Sequence, residues 1–171
     1  MTLQSPAVSA NPESASILKT IQSLGVFKSF LEDLQSVREA SGLGLIRAGR
    51  TPWIAAIARS LNRPLLVLTD KPSTAAVVYD ELQFWLGGRP VEILSAPDPL
   101  FYEPGAWDPV IRGERIRALT ALIKYQLPGR TKGEDAPIVV APLRAAMTRT
   151  AERKGLIRRH RPEHVIYIRV S

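Results

Sequence analysis

Residues 64–73 read Pro64-Leu65-Leu66-Val67-Leu68-Thr69-Asp70-Lys71-Pro72-Ser73. Leu65 to Leu68 are apolar without alternation, led in by one proline and closed by an Asp-Lys-Pro turn. A strand with one wet face alternates, whereas a strand covered on both faces does not. The stretch therefore predicts a buried strand. Ser73 is placed to cap a helix that carries Ala76, Val77, Leu82, Phe84 and Trp85 and stops at Gly87-Gly88. A continuously apolar strand followed by a turn and a helix is the unit from which parallel sheets are built.

The same unit recurs on both sides. Downstream, Val91 to Leu94 predicts a third strand, Val110 to Leu127 a long helix, Ile138-Val139-Val140 a fourth strand and Leu143 to Arg153 another helix. Ala96 to Pro109 is a Pro-rich loop and Pro128 to Ala136 a polar one. Upstream, Leu43 to Ile46 is a short apolar run between glycines, read as the first strand, with Trp53 to Leu61 as its helix. Before that, Ile17, Leu18, Ile21 and Leu24, then Phe27, Phe30, Leu31, Leu34 and Val37, recur at helical spacing on either side of Gly25. The expected fold is α/β, a parallel sheet with helices on both faces and two extra N-terminal helices. The expected divisions are 1–12 disordered, 13–155 one α/β domain, and 156–171 the start of a following, truncated domain. His164 to Val170 is the final strand, and its alternation suggests one exposed face.

Composition narrows the function. The chain has 171 residues and no cysteine, which excludes disulfides and thiolate zinc sites. His160 and His164 are its only histidines, so a metal centre is not expected. There is no apolar run of membrane-spanning length and no signal-peptide pattern at the start, and a cytoplasmic location with no membrane partner is expected. The net charge is +7, but up to Val110 there are nine basic and eleven acidic residues. The surplus lies in the last third, at Arg144, Arg149, Arg153, Lys154, Arg158, Arg159 and Arg161. Such a cluster attracts phosphates or an acidic protein face, or is a solvated basic surface.

Gly44-Leu45-Ile46-Arg47-Ala48-Gly49-Arg50-Thr51 has the spacing of a phosphate-binding loop with one change. Gly44 and Gly49 stand where the two glycines belong and Thr51 where the hydroxyl belongs, but Arg50 replaces the lysine. A guanidinium is broad and planar and does not substitute for an ammonium that reaches between phosphates. A nucleoside triphosphatase also needs an acidic pair at a strand end. Asp70 follows its strand alone, and the fourth strand ends in Ala141-Pro142. Gly44, Gly49, Arg50 and Thr51 are thus candidates for a degenerate phosphate loop. The alternative is a strand-to-helix turn of inherited shape. Asp98, Glu103, Asp108 and Glu114 have no histidine nearby and read as loop and helix-start acids rather than an acid–base pair. Trp53 and Trp85 read as core residues packed against the sheet. Phe101, Tyr102 and Trp107 lie in the Pro-rich loop, as packing or as stacking platforms.

Several blocks carry a resemblance. Pro64 to Thr69 with Ala75-Ala76 and Tyr79-Asp80-Glu81-Leu82 is similar to the second helicase block of UvrB-type proteins. Pro97-Asp98-Pro99-Leu100-Phe101-Tyr102-Glu103-Pro104, Glu114-Arg115-Ile116-Arg117-Ala118-Leu119 and Ile138 to Arg149 resemble, in order, blocks of the bacterial transcription-repair coupling factors (Mfd). UvrB itself resembles the same blocks but keeps the loop lysine. Arg50 and the Leu100-Phe101-Tyr102-Glu103 loop favour the coupling factors.

The resemblance implies a RecA/helicase-like domain of the UvrB domain 1a kind. It implies a place at the N-terminus of a large ATP-dependent DNA translocase that displaces stalled RNA polymerase and recruits nucleotide excision repair. ATP and magnesium would belong to the downstream motor and not to this chain, which is expected to be a non-catalytic docking and regulatory module. Implied partners are the excision-repair protein UvrA, mainly through the following domain, RNA polymerase and DNA through the rest of the protein, and intramolecular contacts. Two other readings stay open: a UvrB-related or other nucleotide-binding protein using Gly44 to Thr51, and a basic nucleic-acid-binding module.

Overall fold

The computed structural model describes residues 12–36, 44–97, 107–127, 135–148 and 166–170. In chain order the elements are α1 (Pro12–Ser23), α2 (Gly25–Ser36), α3 (Arg47–Leu61), β1 (Leu65–Thr69), α4 (Pro72–Leu86), β2 (Val91–Ile93), α5 (Pro109–Gln126), β3 (Ile138–Pro142), α6 (Leu143–Met147) and β4 (Ile166–Val170). Two units divide them. One is Met1–Asn62 with Asp80–Arg89, and the other is Arg63–Tyr79 with Pro90–Ser171.

The second unit holds a four-stranded sheet in the order β2-β3-β1-β4, with every pair parallel. Leu65 lies opposite Ile138 on one side and Ile166 on the other, so β1 is an interior strand. This is the α/β fold expected from the apolar runs. All five residues of β3 are buried, as a strand covered on both faces requires. On one face Leu94, Val139 and Ala141 form a cluster with Ala118 of α5 and Ala145 of α6. Leu66, Leu68, Leu119 and Leu122 pack at its margin.

The first unit is helical. α3 is buried at every position from Thr51 to Ala58, the pattern of a helix covered on all sides. α1 packs on α3, where the Gln22 amide donates to the Ser60 hydroxyl at 3.0 Å. Trp53 meets Phe27 and Phe30 of α2 edge-on, with ring centroids 5.1 and 6.2 Å away. α3 ends at Asn62 in a left-handed conformation. Arg89 clamps that end by donating to the Ala58 carbonyl at 2.7 Å and the Asn62 side-chain oxygen at 3.0 Å.

Several expectations are corrected. Gly44 to Ile46 form no strand: Ile46 is 78 % exposed and takes the N-cap position of α3, which begins at Arg47 rather than near Trp53. α6 stops at Met147, well short of Arg153. There the Thr148 hydroxyl donates to the Arg144 carbonyl at 2.8 Å and satisfies the helix end locally. The last strand does not stand apart, since Ile166–Val170 pairs with β1 along its whole length. Trp85 is only half-buried, its ring edge-on to an exposed Phe84 at 5.5 Å. By contrast α4 ends as read, at Gly87 and Gly88. Both have positive φ, which a side chain would resist. The expected disordered start (1–12) falls outside the described residues except for Pro12, which opens α1. Also outside them are Asp98, Glu103, Phe101, Tyr102 and the basic residues from Arg149 to Arg161.

Candidate functional site

Phosphate-binding loops work by holding backbone N–H groups convergent, usually with a residue of left-handed conformation in the turn. In Gly44 to Thr51 the chain instead becomes helical at Arg47, and the Gly49 N–H donates to the Ile46 carbonyl at 2.9 Å. Neither Gly44 nor Gly49 has a positive φ. A Cβ on Gly44 would meet nothing within 4 Å, and one on Gly49 would meet only Ile46 Cγ1 at 3.7 Å. Neither glycine is thus required by space or by backbone conformation. Arg50, half-buried, turns its Nε back to the Leu45 carbonyl at 3.5 Å. Thr51 is buried, and its hydroxyl donates to the Glu81 carboxylate.

The last contact matters most. In a nucleotide site this hydroxyl would face a metal ion and phosphate oxygens. Here it is held by an acidic side chain, which repels phosphate. The four candidate residues lie together as their spacing demands. Their geometry, with an early helix, an arginine for the lysine and a carboxylate on the hydroxyl, does not fit a magnesium nucleotide.

Open parallel sheets have a second place for ligands, outside the strand ends where neighbouring strands send their connections in opposite directions. Here that point lies between β1 and β3, where Thr69 stands opposite Pro142. Its polar groups are engaged in their own turn. The Thr69 hydroxyl donates to the Lys71 carbonyl at 3.1 Å and the Thr74 hydroxyl to the Asp70 carboxylate at 2.9 Å. The Thr74 hydroxyl, foremost, holds the exposed Asp70 carboxyl below its ordinary range. α4 begins at Pro72, one residue ahead of the expected cap. Among the described residues no group of three or more His, Asp or Glu side chains is placed to hold a metal.

Asp108 and Glu114 have structural partners. Asp108 is the N-cap of α5 and accepts from the Val110 N–H at 2.6 Å. Glu114 accepts from the Ser95 hydroxyl. Beside them lies a residue that the sequence reading passed over. Arg115 is 3 % exposed. Its Nη1 donates to the Ser95 carbonyl at 2.9 Å and the Ala145 carbonyl at 3.4 Å, the Trp107 ring lies 5.1 Å away, and Nη2 has no partner. Burial pushes the guanidinium below its ordinary pKa. It ties the loop after β2 to α6, which makes it a structural rivet. Its only sequence signal was a cation at a position where Ala118, Leu119 and Leu122 define the inward face of α5.

The fold and this site define a parallel α/β protein with a turn of phosphate-loop spacing whose threonine hydroxyl is bonded to Glu81. No protein-family model matches the chain, and no solved structure matches it. Over 120 residues, 70 % of its length, it is 30 % identical to the transcription-repair-coupling factor of Bacillus subtilis (strain 168). That similarity relates the chain to the coupling factor, and it spans about 9 % of the length of that relative. Among the described residues no helix is long and apolar enough to cross a membrane.

Proposed function

We propose that this chain is a non-catalytic docking and regulatory module of a transcription-repair coupling factor, the UvrB-like part of a protein whose ATP-driven motor lies elsewhere. The observation that carries the reading is the Thr51–Glu81 contact inside a loop of nucleotide-binding spacing. A nucleotide-binding ancestry explains the spacing, and a carboxylate seated on the hydroxyl explains why the turn serves structure. The similarity to the Bacillus coupling factor supports the setting: repair of lesions that stall RNA polymerase, in the cytoplasm, alongside UvrA, RNA polymerase and DNA as partners of the whole protein.

The reading is tested by adding the chain in trans to the remainder of the translocase. The chain alone turns over no ATP, and its addition changes the motor's ATPase rate. Magnesium-dependent turnover by the chain alone, or a motor indifferent to it, defeats the proposal. The Thr51–Glu81 contact also stands against the nucleotide-binding alternative. The basic-module alternative rests on Arg149 to Arg161, which lie outside the described residues.

A further inference from the structure

α5 turns an apolar stripe outward that no described residue covers. Ile116 is 58 % and Leu127 48 % exposed, and Ile123 is half-buried. At about 100° per residue Ile116 and Ile123 fall within roughly 20° of each other around the helix and about 10 Å apart along it, and Leu127 follows as its C-cap. The inward side of the same helix, at Ala118, Leu119 and Leu122, already supplies its packing on the sheet. The outward stripe is therefore surplus to the fold, and contiguous exposed apolar surface marks a contact site.

Its edges are cationic. Arg112 flanks one side, and Arg117 and Lys124 the other, all exposed. Arg112 also donates to the Trp107 carbonyl at 3.4 Å, and Arg117 faces Glu92. The helix's one acid, Glu114, points inward to Ser95. The outward face of α5 itself thus carries three cations and no carboxylate.

We propose that this face docks an acidic amphipathic segment of a protein partner, its apolar residues on Ile116, Ile123 and Leu127 and its carboxylates against Arg112, Arg117 and Lys124. A helix laid into such a surface uses apolar anchors three and four residues apart with charges along the rim. A lipid surface fits less well. The stripe has no tryptophan or phenylalanine, and three cations contribute about 1 kcal/mol each near anionic headgroups. Nucleic acid would engage the cations and leave the stripe wet. The surface is defined by exposure and charge alone, so it holds whether or not the chain serves a repair translocase.

The test uses the full chain and a labelled helical peptide with leucines at positions 1, 4, 5 and 8 of its pattern and glutamates beside them. A second peptide carries lysines in their place. Fluorescence anisotropy at physiological salt is expected to show the glutamate peptide binding at least about tenfold more tightly than the lysine peptide. Ile116→Asp and Lys124→Glu should each weaken binding by about tenfold without moving the thermal melt, since both side chains are exposed. Equal affinity for the two peptides, or no effect of either substitution, overturns the proposal. So does phosphatidylglycerol-vesicle or duplex-DNA binding that both substitutions abolish while the glutamate peptide fails to bind.

Discussion

Replacing Trp53 by alanine tests how the helical unit is held. Trp53 is 8 % exposed and meets Phe27 and Phe30 edge-on, while its indole N–H is buried without a partner. Truncating a buried tryptophan costs about 3–5 kcal/mol. That figure includes the aromatic edge contacts, each worth about 0.5–1.5 kcal/mol beyond area burial. Against it stands the orphaned donor, whose removal recovers about 1–3 kcal/mol. Taking the middle of each range, the net loss expected for Trp53→Ala is about 2 kcal/mol. Trp53→Phe separates the terms. It keeps a ring against Phe27 and Phe30 and discards the unsatisfied N–H, so its cost should stay below about 1 kcal/mol. Trp85→Ala, at a half-buried site, should cost about 1–2 kcal/mol. Urea unfolding followed by far-UV circular dichroism measures all three without a tryptophan probe. The reasoning fails if Trp53→Ala unfolds within about 0.5 kcal/mol of wild type, or if Trp53→Phe is as damaging as alanine.

Three further outcomes are expected. Arg50→Lys should produce no ATP turnover in a phosphate-release assay, because the Thr51 hydroxyl remains on Glu81; measurable turnover would show that the arginine alone closed the site. Arg115→Ala should destabilise by about 2–4 kcal/mol, and Arg115→Lys should not restore the loss, since the lysine nitrogen ends one bond short of the Nη1 position that donates to both carbonyls. Thermal melts would reveal a wild-type-like lysine variant, which would mean that charge matters here rather than shape. Burial holds the Glu92 carboxyl above its ordinary range, with Arg117 opposing. The folded state therefore disfavours the charged form. Stability attributable to this group is highest below the unfolded carboxyl pKa and falls as pH rises through the folded value. Glu92→Gln should accordingly be more stable than wild type at neutral pH and lose that advantage in acid.

The sheet was legible because its longer strands are short apolar runs bounded by turn residues, which favours strand over helix. Leu65 to Leu68 and Ile138 to Val140 are apolar at consecutive positions, and both become strands, β3 buried at every position and β1 alternating between buried and half-buried. The long helix α5 was legible to within one residue at each end, Val110 to Leu127 against the observed Pro109–Gln126. Leu43 to Ile46 misled because three apolar residues around Gly44 satisfy a strand pattern and a helix approach equally. Only the exposure of Ile46 decides between them. The candidate loop was legible as spacing, but spacing is blind to backbone torsion and to a carboxylate arriving from Glu81 thirty positions on. Arg115 was hidden for a plainer reason: in sequence a buried cation looks like a solvated one, and what distinguishes it is the arrival of the Ser95 and Ala145 carbonyls from elsewhere in the chain.

The strand order has a consequence for how the chain is made. β1 lies between β3 and β4, and the strand that follows it in sequence, β2, is not its neighbour. As the polypeptide emerges from the ribosome, Leu65 precedes its partners Ile138 and Ile166 by 73 and 101 positions. Closing such long loops costs entropy before any ladder bond forms, which slows folding and leaves an apolar strand edge unpaired until those partners have emerged. Nascent chains of this protein should therefore depend on chaperones that shield β1, and pausing translation ahead of Ile138 should raise the fraction that aggregates.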